Sequence, residues 1–264
     1  MPNISNIKID NYSYQIDLNS PNDISIPIDA IKSPSFYDDT PIKVSYYKSG
    51  NKVWNIGTGA SCNIPIISLN IHCGTTHTEC RSHITKEDVS ITDCIKHLFT
   101  QSYLISVEPS SDIKKDTYHH KIKKNDLIIT RDMIYKKINS IDKQFLKSLI
   151  IRTLPNSSMS LAKNYNNHNN AYFSNEAIHY LESTGIKNLI VDLPSIDKFD
   201  DGGKLGNHRI FWGIEKNNPN NNTITELAYI ENNIEDGEYL LSLNMLNLNL
   251  DASPSRPIIY KILK

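Results

Sequence analysis

The sequence is short of several things, and each shortage closes a class of explanation. Its 264 residues carry 28 Lys and Arg against 29 Asp and Glu, a formal charge of -1. No excess of either sign marks nucleic acid or an anionic membrane as a partner. No run approaches the ~18 consecutive apolar residues of a membrane-spanning helix. The opening MPNISNIKIDNYSY lacks the basic start and apolar core of a secretory signal, so a cytoplasmic location is expected. The four cysteines, Cys62, Cys73, Cys80 and Cys94, contain no C-x-x-C pair. That argues against a zinc ribbon or a thioredoxin-type centre, and the thiols are expected to stay reduced. No internal repeat and no convincing linker divides the chain, so residues 1–264 read as a single domain.

What the chain does have is strands. SYQIDL and ISIPI lie among Pro21, Pro27, Pro34 and Pro41 and read as edge strands and turns. IPIISLNI, a β-branched run bounded by polar turns, reads as a strand, as do SYLISVE, DLIIT and SLIIRTL, and the continuous apolar run of KNLIVDLPSID reads as a buried strand. GEYLLSLNMLNLNL alternates Leu with polar residues, and RPIIYKIL follows it. Two helices are expected. One begins at Thr85 in TKEDVSITDCIKHLF; the other is SNEAIHYLESTG, with Ser174 as cap, Glu176 in its first turn and Gly185 as its stop. The Asn-rich tracts 164–170 and 217–222 read as surface loops. The fold class is a strand-rich α/β domain.

One window concentrates chemistry. NIHCGTTHTECRSHI, residues 70 to 84, holds three of the nine histidines, a glutamate and two cysteines. His77 and Glu79 are two apart and project to one side of an extended backbone. His83 lies six beyond His77, and His72 lies five before it across a Gly74-Thr75-Thr76 turn. Imidazole nitrogen with carboxylate oxygen suits a divalent zinc, manganese or iron ion. A polar turn whose histidines bond to backbone would leave the same residues, and H-x4-H-x-E is not a diagnostic zinc spacing.

The window resembles the H-x-G-T-H-x-D-x-P-x-H signature of the cyclase family of metal-dependent hydrolases, which includes bacterial kynurenine formamidases. Four later segments agree in order. RTL resembles the family's RTG. YFSNEAIHYLESTGIKNLIVDLPSID resembles its helix and its GIDTPSID strand, and NHRIFW resembles its HHxLL. YIENNIEDGEYLLSLNMLNLNLDASPSRPI resembles its IIENL…DGSPVRA ending.

The resemblance implies a swivelling β/α/β fold and one or two zinc or manganese ions. It matches His77, Glu79, His208 and Glu231 to metal ligands, with His72 as a further ligand, and His83 to a proton carrier. It also implies a homodimer or homotetramer acting on a small-molecule substrate. The implied activity is hydrolysis of an amide (formamide-like) or ester or lactone bond through metal-activated water. The departures are Glu79 for Asp, Arg81 for Pro, one extra residue before His77, and Arg209 for the second His. Arg81 is a candidate either to bind a substrate carboxylate or to point to water, and Trp212, four after His208, either to sit in the core or to line the substrate site.

The rival reading is a catalytically silent metal- or ligand-binding protein on the same fold. Elsewhere, Asp192, Ser195 and Asp197 lie at a strand end, where α/β sites often form, though Asp192 and Ser195 are expected to brace the turn; His119 and His120 are expected to lie on a solvated face, and Cys80 to be a packed thiol. His97, His168 and His179 receive no role.

Overall fold

The strand pattern closes on itself. In the computed structural model, which describes residues 2–113, 115–167 and 169–263, seven strands pair in sequence around the sheet. Their order is Ala252–Leu263, Gly237–Met245, Thr100–Val107, Ser148–Thr153, Asn188–Val191, Thr223–Glu226 and His77–Glu79. The last of these also pairs with the start of the first, Ala252 opposite Glu79 and Pro254 opposite His77, so the sheet is barrel-like. Thr100–Val107, Ser148–Thr153, Asn188–Val191 and Thr223–Glu226 run parallel, and the other pairings are antiparallel. A hairpin of Ile4–Ile9 and Tyr12–Asp17 extends the sheet beyond Ala252–Leu263. His168 lies outside the described residues.

Strand alternation divides the apolar side chains between two cores. Leu104, Ile150, Ile190, Leu241 and Ile259 meet inside the barrel. Their neighbours Ile105, Leu149, Ile151, Leu189, Val191 and Ile224 face outward and pack on Ile134, Ile138, Ala177, Ile178 and Leu181. Those come from the helices Arg131–Ile138 and Asn175–Ser183. This is why the parallel strands read as continuous apolar runs: both faces are covered. The second helix starts as expected, with Ser174 Oγ accepting from the Ala177 amide at 3.1 Å. Gly185, at φ 83, follows it where a side chain would be strained.

Several local expectations fail for physical reasons. No helix runs from Thr85; only Ile91–Cys94 is helical, capped by Ser90. The β-branched Val89, Ile91, Thr92 and Ile95 favour extended backbone, and Ile91 N instead donates to Leu250 O at 2.9 Å. ISIPI is not a strand, whereas Asn22–Asp23 before it pairs with Ile258 and Ile259. The tract 217–222 is the surface loop expected, mostly exposed but tied down at its end. Trp212 Nε1 donates to Asn222 O at 2.9 Å and Asn220 Nδ2 to Phe211 O at 3.0 Å, so it closes the helix Gly206–Phe211. Among the described residues no helix is long and apolar enough to cross a membrane.

Asp192 braces two parallel strands, its carboxylate accepting from Thr153 N at 2.7 Å and Thr153 Oγ1 at 2.9 Å. Burial pushes its pKa up to about 7. The folded chain therefore keeps a proton that the unfolded chain releases near its ordinary value of ~4. That contribution to stability is complete below about pH 4 and is lost as pH rises toward 7, at up to roughly 1.4 kcal/mol per unit. Asp192→Asn is expected to flatten this slope. Urea midpoints at about pH 4.5 and pH 7.5 measure it.

Candidate metal centre

Strand geometry assembles the first half of the site. His77 and Glu79 project to one side of the His77–Glu79 strand. Thr78 between them turns the other way, 2.8 Å from Thr225 Oγ1 and 2.9 Å from Ser255 Oγ. The antiparallel register sets His77 opposite Glu226, which brings that glutamate to the same side. His72 comes from the helical turn Ile71–Gly74, where glycine is required because a Cβ on residue 74 would meet Pro41 Cγ at 2.4 Å. His83 ends the 3-10 turn Arg81–His83. His208 comes from the helix Gly206–Phe211. The loop before that helix is held by Asp201, which accepts from Gly203 N at 2.7 Å and Leu205 N at 2.6 Å.

Glu79, almost fully buried, is the hub. Its Oε1 lies 2.9 Å from His208 Nε2, and its Oε2 lies 3.1 Å from His72 Nδ1 and 3.8 Å from His83 Nε2. Glu226 spans the other side, with Oε1 3.5 Å from His208 Nε2 and Oε2 3.7 Å from His77 Nε2. Asp251 Oδ2 holds both His72 Nε2 and His83 Nδ1 at 3.1 Å. Behind His208, Asp197 Oδ2 accepts from its Nδ1 at 2.7 Å, while Asp197 Oδ1 accepts from Tyr118 Oη at 2.8 Å. Potential ligand atoms fall within 4.8 Å of one another in His72, His77 and Glu79, in His72, His83 and Asp251, and in Glu79, His208 and Glu226.

The electrostatics follow from this packing. Burial, assisted by His72, pushes the His77 pKa down to about 4 and holds the ring neutral. Burial also disfavours charge on His72, yet Asp251 and Glu79 outweigh it and push its pKa up to about 10. His208 is raised in the same way by Glu79 and Asp197 against burial. Burial and the charge of Glu79 raise Glu226. Burial alone would raise Glu79, but His83 and His208 hold it well below the usual carboxylate range.

The residues present fit a divalent ion. His77 Nδ1 donates to Thr75 O at 2.9 Å, so Nε2 carries a bare lone pair, and that atom is buried with no hydrogen-bond partner. An unpaired buried acceptor costs about 1–3 kcal/mol. Two adjacent buried carboxylates, Glu79 and Glu226, also call for a shared cation. A divalent ion held here would take the place of the protons on His72 and His208, so its uptake would release protons. Asp197 fixes which nitrogen of His208 faces the cluster, and Asp197→Asn is expected to weaken metal affinity about 10–100-fold. Competition with a chromogenic chelator measures the change.

The structure brings His72, His77, Glu79, His83 and His208 together but not Glu231. That residue is exposed, its carbonyl oxygen accepting from Arg152 Nη1 at 2.6 Å, and Glu226 stands where the ligand was expected. Arg81 does not reach the site cavity: its Nε donates to Glu87 at 2.7 Å, and Nη1 bonds Asn220 O at 3.1 Å and Asn221 Oδ1. Trp212 is fully buried behind His208, their rings 5.3 Å apart, and lines no substrate surface. His119 is no solvated residue: Gly206 N donates to its Nε2 at 3.2 Å, and Asp197 lies 3.6 Å away. Cys80 is buried with Sγ 3.1 Å from Ser82 Oγ.

Glu226 and Asp251 were not singled out in the sequence. Asp251 had a signal, the matched ending LDASPSRP, whereas Glu226 had only its place at a strand end. A cavity of about 460 Å³ opens onto the cluster, walled by Phe36, Tyr37 and Phe199, with Asp200, Asp201, Gly202 and Gly203 also lining it. The Tyr37 and Phe199 rings stack at 4.6 Å and 15°.

Residues 22–198 match the model of a family described as "Putative cyclase". No curated protein matches. Among solved structures, one described as a predicted metal-dependent hydrolase from Bacillus stearothermophilus is 16% identical, covering 91% of this chain and 98% of its own, at a TM-score of 0.60. An isatin hydrolase bound to the product analogue thioisatinate is 14% identical, covering 92% of both chains, at 0.63. Isatin hydrolase A from Ralstonia solanacearum is 12% identical, covering 91% of both, at 0.62. At these identities the likeness is one of fold.

Proposed function

Because the chain belongs to the cyclase family, we propose that it is a metal-dependent hydrolase, with residues 1–264 acting as one domain. The substrate is a small, uncharged aromatic carbonyl compound, opened at an amide (formamide- or lactam-like) or ester bond. The observation that carries this reading is the unpaired Nε2 of buried His77, 3.7 Å from Glu226 in a cluster centred on Glu79. Zinc and manganese both suit the mixed nitrogen and oxygen donors, as one ion or two.

His77, Glu79, His208 and Glu226 would hold the ion, with His72 at the cavity side. When bound it supplies Lewis acidity and lowers the pKa of water toward neutrality. The proton work falls to His83. As water adds to the carbonyl carbon, His83 Nε2 accepts its proton, then delivers it to the nitrogen or oxygen that leaves when the bond breaks. Asp251 at 3.1 Å holds Nδ1–H and so keeps Nε2 free for that exchange. Phe36, Tyr37 and Phe199 supply faces for a planar ring. With Arg81 engaged elsewhere, no lysine or arginine lines the cavity among the described residues, which favours an uncharged substrate over a carboxylate.

The second reading, a catalytically silent metal- or ligand-binding protein, is disfavoured by His83. It is a quarter exposed to the cavity and oriented by Asp251, and an inert ion has no use for a proton carrier. The test is a panel of N-formyl arylamines, aryl lactams and aryl esters. Turnover of at least one, abolished by chelator and restored by zinc or manganese, supports the enzyme. Bound metal without chelator-sensitive turnover supports the silent protein. A homodimer or homotetramer is supported by exposed Val44, Ile66 and Ile67 on the paired strands Ile42–Tyr46 and Pro65–Leu69. A monomer by light scattering would contradict it.

A further inference from the structure

We propose that the opposite mouth of the barrel is a second ligand site, one that takes a small organic polyanion bearing phosphate groups. The four parallel strands begin at this end, whereas the metal cluster lies at the end where Glu226 closes Thr223–Glu226. Thr100, Asn188 and Asn222, at or just before strand starts, line a cavity here of about 510 Å³. That is ample for a small phosphorylated metabolite.

Charge sets this cavity apart. Lys96, His97, Lys143, Lys147 and Lys187 line it, and no carboxylate does, although acids and bases balance over the whole chain. The lysines also crowd one another. Lys187 N donates to Lys147 O at 2.8 Å, so the two sit side by side just ahead of adjacent strands, and Lys143 begins the 3-10 helix that Lys147 ends. Like charges gathered in this way repel one another unless something neutralises them. Lys147 reaches Asp10 at 3.0 Å with both groups exposed, a pairing worth little in water. Among the described residues Lys96, Lys143 and Lys187 have no ion pair. A lysine on a flat face is solvated at no penalty, but a concave wall of one sign focuses the potential and concentrates counter-ions.

The floor is built and polar. Thr100 Oγ1 lies 2.9 Å from Ser148 Oγ, Asn188 Nδ2 donates to Ser148 Oγ at 2.8 Å, and Thr223 Oγ1 donates to Asn188 Oδ1 at 2.9 Å. This chain of side-chain bonds crosses the starts of four strands and seals the barrel with fixed dipoles. Ile95, Leu146 and Leu243 add an apolar flank for a carbon skeleton. Cationic rim, neutral hydrogen-bonding floor and apolar flank together specify a phosphorylated organic molecule more closely than a free ion.

The experiment is calorimetric titration of the metal-loaded full chain with a sugar bisphosphate and, separately, with inorganic phosphate, at physiological ionic strength. The expected result is one bisphosphate per chain, bound more tightly than inorganic phosphate. Lys187→Ala and Lys143→Ala should each weaken it about 10-fold or more. Lys48→Ala should leave it unchanged, because it lies elsewhere. No bisphosphate binding, or equal loss in Lys48→Ala, would each overturn the proposal. A free-phosphate affinity matching the bisphosphate would overturn the organic part of the assignment.

Discussion

Glu226→Gln is expected to lose its metal and its turnover, while Glu231→Gln keeps both. The amide is nearly the same size as the carboxylate, so packing changes little. What goes is a negative charge facing His77 Nε2 at 3.7 Å and His208 Nε2 at 3.5 Å. Partners outside the ligand set are already worth about 10–100-fold in metal affinity, so a lost ligand should exceed that. Metal content after dialysis, read by inductively coupled plasma spectrometry, should be sub-stoichiometric for Glu226→Gln and unchanged for Glu231→Gln. The comparison is sharp because the two glutamates are five residues apart and chemically identical. Only the barrel register separates them.

His83→Ala should behave in the opposite way, keeping its metal and losing turnover. Its ring touches Glu79 only at 3.8 Å and is held mainly by Asp251 at 3.1 Å, which is the position of a proton carrier beside the cluster. General acid–base groups contribute about 10²–10⁴-fold. That fall is expected in kcat, with KM little altered because substrate contacts come from the aromatic wall. Asp251→Asn should cost less, since it disturbs the orientation of His83 without removing the ring. A metal-free His83→Ala would instead make His83 a ligand.

The sequence exposed the part of the site that is local. His72, His77, Glu79 and His83 converge because one turn and one period-two strand bring them together, and both features are visible in fifteen residues. The later acids are another matter. Glu226 is chosen by its register opposite His77, and Leu227, at φ 53, then turns the chain so that Glu231 ends on the surface. No spacing in TITELAYIE reveals that. Arg81 was misjudged because Glu87, six residues on, captures its guanidinium. The strand-rich α/β class was plain from its apolar runs. Closure into a barrel was not, because it depends on a three-residue strand pairing with residues more than 170 positions away. The helix expected from Thr85 failed because its backbone is committed to the segment ending at Asp251, with Ile91 N on Leu250 O at 2.9 Å.

The central claim is that one divalent centre joins the 72–83 segment to His208 and Glu226. Anomalous diffraction at the zinc or manganese edge, from crystals of the metal-loaded protein, tests it most directly. The account predicts a peak about 2.0–2.2 Å from His77 Nε2 and from carboxylate oxygens of Glu79 and Glu226, with His208 Nε2 completing the set. A peak bound elsewhere, or loaded protein showing none among these four side chains, would contradict it.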